Sequence, residues 1–146
     1  MKKLRLIILI IIAFAGLSSC DNSIALPNVI EFQEPDYSAL WMVGNATPAG
    51  WNISNPTPMT VNPTDKFEFI YEGALTAGEF KIPTKTGDWG CDFFMPITAG
   101  EDISGTVDVK LVVGGSPDQK WVVSVPGNYK ITLNIKHPVS IKIVKQ

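Results

Sequence analysis

Apolar side chains at every second position, across much of residues 37–146, constrain this chain more than any other feature. Successive side chains leave a strand on opposite sides, so a period of two marks a strand with one buried face. The clearest run is Tyr129, Ile131, Leu133 and Ile135, with Lys130, Thr132, Asn134 and Lys136 in the opposite phase. A turn at His137-Pro138 follows, and Val139, Ile141 and Ile143 repeat the pattern. Upstream, Trp121, Val123 and Val125 run into Pro126-Gly127, a pair suited to the central positions of a type II turn. Phe67, Phe69 and Tyr71 alternate with Glu68, Ile70 and Glu72, and Phe80 and Ile82 with Glu79 and Lys81. Val107, Val109, Leu111 and Val113 alternate with Asp108, Lys110 and Val112, and residues 40–44 form a short apolar strand. No stretch after residue 36 sustains a helical period. Roughly seven to nine short strands in about 110 residues predict an all-β fold, an immunoglobulin-like antiparallel β-sandwich. A domain of that size holds a core without a staple.

Residues 1–36 follow other rules. Lys2, Lys3 and Arg5 precede an uncharged apolar run over residues 6–16, which matches the core of a secretory signal. The run falls short of the roughly 20 residues that a membrane-spanning helix needs. Leu17-Ser18-Ser19-Cys20 resembles the lipobox of bacterial lipoproteins, in which the thiol is acylated and becomes the new N-terminus. Residues 1–19 are thus expected to be a signal peptide, and residues 20–36, with Pro27, Asn28 and Pro35, a lipidated tether. Acyl chains contribute about 0.8 kcal/mol per buried CH₂, so Cys20 would hold the protein on a membrane without a transmembrane helix.

Loss of the signal also removes three of the 12 basic residues, leaving nine against 14 acidic ones and a formal balance of −5. No arginine remains, and such a chain is poorly suited to neutralising phosphates, which excludes nucleic acid as a partner. With Cys20 lipidated, Cys91 has no disulfide partner. A single histidine, His137, excludes a Cys/His zinc cluster, and no cofactor is expected.

Catalytic arrangements are absent from the pattern. His137 sits before a proline in a turn, with no nucleophile placed beside it. Asp88 with Asp92, and Glu101 with Asp102, are the only close acids in loops, and neither spacing specifies a glycosidase pair. The tryptophans say more. Trp121 is in phase with Val123 and Val125, and Trp41 lies in an apolar strand, so both are expected in the core. Trp51 and Trp89 lie in loops with no alternation to bury them: residues 45–63, stiffened by Pro48, Pro56, Pro58 and Pro63, and residues 83–90. A loop tryptophan can plug the end of a sandwich or bind a ligand. Both readings stand for Trp89, and Trp51 is expected to be exposed for binding. An indole covers the apolar face of a pyranose, while amide or charged groups such as Asn52, Lys85 and Lys81 bond the hydroxyl rim. Lys81 is out of phase with Phe80 and Ile82, so its ammonium is expected to leave the core face; a solvated strand lysine is the plain alternative.

The segment Leu40-Trp41-Met42-Val43-Gly44-Asn45-Ala46-Thr47-Pro48-Ala49-Gly50-Trp51-Asn52-Ile53 resembles the opening of domains in the SusE/SusF family, outer-membrane starch-binding lipoproteins of Bacteroidetes. The likeness continues through Pro58-Met59-Thr60, Phe67 to Tyr71, Gly78-Glu79-Phe80-Lys81-Ile82, Asp88-Trp89-Gly90 and Val125-Pro126-Gly127-Asn128-Tyr129. It implies an immunoglobulin-like sandwich that binds α-glucan through an aromatic platform and basic side chains, with Trp51 as the stacking residue and Lys81 as the base. Family members usually string two or more such domains together, and one is expected here. Family sites often add an arginine, for which Lys120 is the nearest substitute. The expected protein is therefore a non-catalytic, surface-anchored polysaccharide-binding module that works beside an outer-membrane glycan transporter. The competing expectation is a structural subunit that packs on outer-membrane partners without a glycan site of its own.

Overall fold

The structure is a computed structural model that describes residues 35–146. The signal peptide, Cys20 and nearly all of the expected tether lie outside the described residues. Within them the fold is all-β, with several antiparallel sheets. The longest strand is β4 (Asp65–Leu75), flanked by β3 (Thr60–Asn62) and β11 (Gly127–Asn134), and β11 pairs in turn with β12 (Ser140–Lys145). Its register explains the alternation: Ile131 stands opposite Tyr71 and Ile143, and Leu133 opposite Phe69 and Ile141. One phase of three neighbouring strands thus faces the core together.

Shorter strands face this sheet's core side. β1 (Trp41–Met42) pairs with β2 (Thr57–Pro58). β10 (Trp121–Val123) lies between β5 (Gly78–Phe80) and β8 (Glu101–Asp102), and its pairing with β8 is parallel. β7 (Phe93–Met95) lies between β6 (Ile82–Pro83) and β9 (Lys110–Val112). The main apolar cluster gathers Leu40, Met42, Phe69, Phe80, Trp121, Ile131 and Leu133, all fully buried, and the Phe80 ring stacks on Trp121 at 5.3 Å.

A second, smaller cluster lies on the other side of β7. Phe94 points into the main cluster, while Phe93 and Met95 join Val43, Ile53, Cys91 and Val112. A strand buried on both faces is apolar at every position, which is why Phe93-Phe94-Met95 shows no alternation and is not legible as a half-buried strand.

Three expectations change here. The alternation at residues 107–113 does not mark one long strand: only Lys110–Val112 is extended in a sheet, Val112 enters the small cluster, and Val113 is exposed in a short 3₁₀ turn, Val113–Gly115. Leu111 packs against the main cluster, so this strand too has apolar contacts on both sides. Pro126-Gly127 does not form a type II turn, because Gly127 is not at positive φ. Instead it opens β11, where the chain passes from the sheet of β10 to that of β4, and an added Cβ there would meet Lys145 Cε at 2.6 Å. Trp41 is only half-buried rather than core.

Glycine and asparagine in the motif segments have a packing role. Gly44 (φ +148°) passes so close to the backbone of Glu79 and Phe80 that a Cβ would collide with it. Gly78 (φ +152°) leaves the room that Asn45 uses to accept a hydrogen bond from the Glu79 N–H at 2.8 Å.

Candidate binding site

Three loops converge over the small cluster. The first carries Trp51 and is folded on itself. Gly44 N–H donates to the Gly50 carbonyl at 2.9 Å, Thr47 Oγ1 donates to the Gly44 carbonyl at 2.8 Å, and Gly50 reverses the chain at φ +61°. Its far end is tied to the second loop by the Gly87 N–H, which donates to the Ile53 carbonyl at 2.7 Å. The second loop carries Trp89. Asp88 Oδ1 accepts from the Gly90 N–H at 2.8 Å, and Thr84 Oγ1 donates to the Asp92 carbonyl at 2.9 Å. The third loop is held by the Gly114 N–H, which donates to Asp92 Oδ1 at 2.9 Å. Gly115 follows at φ +71°, where a Cβ would press on the Phe93 ring at 3.1 Å. This loop leads to Asp118 and Lys120.

These loops bring the two tryptophans side by side at the surface. Trp51 is 39% exposed and Trp89 47%, with ring centroids 6.4 Å apart and planes at 44°. Beneath, Trp89 stacks on Phe93 at 6.3 Å and 14°. Neither tryptophan is a buried plug.

Lys81 corrects one expectation. Its alternation with Phe80 and Ile82 does carry it away from the main core, but into the small cluster instead of solvent: the residue is 4% exposed. The ammonium lies 4.1 Å from the Phe93 centroid and 5.3 Å from that of Trp89, within cation–π range, and 2.7 Å from Asp118 Oδ1. A buried charge needs such a partner. Lys120 Nζ donates to the other oxygen of Asp118 at 2.7 Å and stands 5.8 Å from the Trp51 centroid. Partial burial pushes the Asp118 carboxyl up, but hydrogen bonds and attraction from Lys120 and Lys81 outweigh it and hold the group below the ordinary carboxylate value.

The structure therefore brings Trp51, Trp89, Lys81 and Lys120 together. Asn52 and Lys85 are exposed on the same loops but stand outside this ion-pair cluster. Asn52 Oδ1 accepts from the Asn55 N–H at 3.2 Å, so its side chain shapes its own loop, and the Lys85 carbonyl faces the Cys91 thiol at 3.9 Å. Asp118 and Phe93 had escaped sequence reasoning. Asp118 lies 37 residues from Lys81, and no local pattern couples them.

The acids expected in loops are engaged by backbone N–H groups, Asp88 and Asp102 within their own turns and Asp92 and Glu101 across to other segments, and Glu101 and Asp102 lie in β8 instead of a loop. Asp92 and Asp88 accept from backbone N–H groups as described, Glu101 Oε2 accepts from the Asp108 N–H at 3.0 Å, and Asp102 Oδ1 from the Ser104 N–H at 2.8 Å. Hydrogen bonds from Ser104 and Ser124 hold the Asp102 carboxyl below its ordinary value. Among the described residues no group of three or more His, Cys, Asp or Glu side chains is placed to hold a metal ion. A depression of about 290 Å³ lies elsewhere, on the sheet of β3, β4 and β11, lined by Thr60, Asn62, Ile70, Glu72 and Lys130. It offers no aromatic ring to a sugar face.

Compared with known protein families, residues 39–142 match the family described as SusF/SusE starch specific CBMs, that is, carbohydrate-binding modules. No curated protein and no solved structure matches the chain.

Proposed function

The chain belongs to the SusF/SusE family of starch-specific carbohydrate-binding modules, and on that premise we propose that its non-catalytic glycan-binding activity resides on the Trp51–Trp89 platform. The observation that carries this reading is the pair of exposed indoles 6.4 Å apart, bordered by the Lys81–Asp118–Lys120 cluster. Each indole offers an apolar face to one pyranose. Planes tilted by 44° suit sugar rings that turn from one to the next, as in a curved α-linked chain, better than a flat ribbon. Asn52 and Lys85 would line the rim.

Covering about 100 Å² of apolar surface on one indole is worth about 2.5 kcal/mol. A charge-assisted hydrogen bond adds roughly 1.5–3 kcal/mol. Association and ordering cancel part of the sum, so a single site is expected near the millimolar level, about −4 kcal/mol. A polymeric ligand offsets that weakness through avidity.

The immunoglobulin-like closure belongs to the same proposal. It is supported by Tyr129, whose hydroxyl donates to the Val125 carbonyl at 2.7 Å, in the manner of the tyrosine corner of such sandwiches. So do the lipid anchor at Cys20, a place on the outer cell surface, and work beside an outer-membrane glycan transporter. The test of the site is retention on insoluble starch: wild type should be retained, and Trp51→Ala and Trp89→Ala should be lost with their folds intact. Equal retention of both variants would move the site elsewhere.

A further inference from the structure

The geometry points to Asp118 as a sugar-contacting residue of this same site, with Lys81 acting through it as a positioning residue; the inference rests on the starch-binding reading above. Lys81 is badly placed to touch a ligand. Its side chain is 6% exposed, with aromatic rings of Phe93 and Trp89 against its ammonium. The side chain of Asp118 is 53% exposed and that of Lys120 23%. Lys81 grips Oδ1 at 2.7 Å and Lys120 grips Oδ2 at 2.7 Å, so the carboxylate is fixed at both ends.

An ionised carboxylate has about four acceptor positions. The two lysines occupy two, and the exposed half of the group leaves the others facing solvent. Lys120 has three donors and gives one to Asp118. An acceptor and a donor therefore stand side by side, the donor 5.8 Å from the Trp51 centroid and the acceptor 2.7 Å from the donor. Neighbouring hydroxyls of a pyranose need that pairing, because each hydroxyl both gives and takes a hydrogen bond. Ammonium groups alone would leave the hydroxyl hydrogens without acceptors. A site built this way rejects a ligand whose hydroxyl hydrogens are missing.

Affinity electrophoresis of the full chain in gels containing amylopectin, or amylopectin methylated at its 2- and 3-hydroxyls, tests this. Asp118→Ala alone strands the Lys81 ammonium and destabilises the domain, so its affinity is referred to the folded fraction and Lys81→Met/Asp118→Ala is run beside it. Wild type should be retarded by amylopectin and lose about tenfold or more in affinity on methylation, as expected for a hydrogen bond to a charged group. The double variant should lose a similar factor and no longer distinguish the two polymers. Lys81→Met alone should weaken binding, yet cost less than about twofold once Asp118 is already alanine, as non-additivity requires of two residues acting as one unit. Wild-type affinity in the double variant, or undiminished discrimination against the methylated polymer, would overturn the role of Asp118. Additive losses would overturn the positioning role of Lys81. A wild type that amylopectin does not retard would refute the starch-binding reading itself.

Discussion

The two apolar clusters of this domain are built to opposite ends. The main one is closed, made of side chains such as Phe69, Phe80, Trp121 and Leu133 with no exposure, and its hydrogen-bonded strands run in matching register. The small one buries a lysine, is bordered by a half-exposed aspartate, and carries two tryptophans that remain open to solvent. Burial of apolar area stabilises the first. In the second, large apolar surfaces are left uncovered and charges are held in place by rigid loops, an arrangement that favours a ligand over the unliganded fold. The difference predicts that mutations separate: the main cluster should govern stability and the small one binding.

Leu133→Ala tests the first half and should have the largest effect. Deleting a fully buried leucine costs about 2–5 kcal/mol, read as a lower urea midpoint, with the affinity of the protein that remains folded unchanged. A smaller loss is expected at the ion-pair cluster, and it should be asymmetric. Asp118→Ala strands a buried ammonium and should cost about 1–3 kcal/mol, below the loss for a fully buried pair because Asp118 is half exposed. Lys81→Met keeps the volume and removes the charge, and should stay within about 1 kcal/mol of wild type. Equal losses in the two urea titrations would mean that the pair is symmetric and the aromatic surroundings of Lys81 are irrelevant. Trp51→Ala should shift stability by less still, about 0.5 kcal/mol, as for surface changes generally, while starch retention disappears.

The pH response is the finest distinction. The Asp118 carboxyl is depressed in the folded state, so its contribution to stability is present above the unfolded value of about 4 and is lost as pH falls through the lower folded one. Stability should therefore be level from neutral pH to about 4 and decline below it. Asp65 and Asp102 are depressed as well, Asp65 chiefly by the Phe67 N–H and Asp102 by Ser104, and they add to the same acid limb. The Asp118→Asn variant isolates the share of Asp118: its acid limb should be shallower than that of wild type, and an identical limb would contradict the pairing.

How much of this was legible follows the same division. The inward phases of β4, β11 and β12 could be read directly, because each of these strands has one dry and one wet face and the period of two survives. The alternation is lost at β7, where both faces meet apolar neighbours; ahead of and within β9 it keeps its phase, with Val107, Val109 and Leu111 all against the main cluster, but overstates the length of the strand. It also misled at Lys81: phase identified the face correctly, but not that this face is roofed by Trp89 and Phe93. The exposed loop tryptophans were visible as aromatic residues without a burial pattern. Their proximity was not, since it depends on bonds such as that from Gly87 to the Ile53 carbonyl, across 34 residues of chain. Pro126-Gly127 had the composition of a tight turn, yet the neighbouring strands belong to different sheets, so the corner joins sheets and needs a small residue beside Lys145 instead of a positive φ.

The central claim, that ligand meets the small cluster and leaves the main one untouched, is tested most directly by the indole N–H signals in a ¹H–¹⁵N spectrum during titration with maltoheptaose. Trp51 and Trp89 should shift progressively with added sugar, while Trp121, whose indole N–H donates to the Asp108 carbonyl at 3.3 Å within the core, should stay in place. Shifts confined to residues around Ile70, Glu72 and Lys130, with the indoles of Trp51 and Trp89 unmoved, would contradict it.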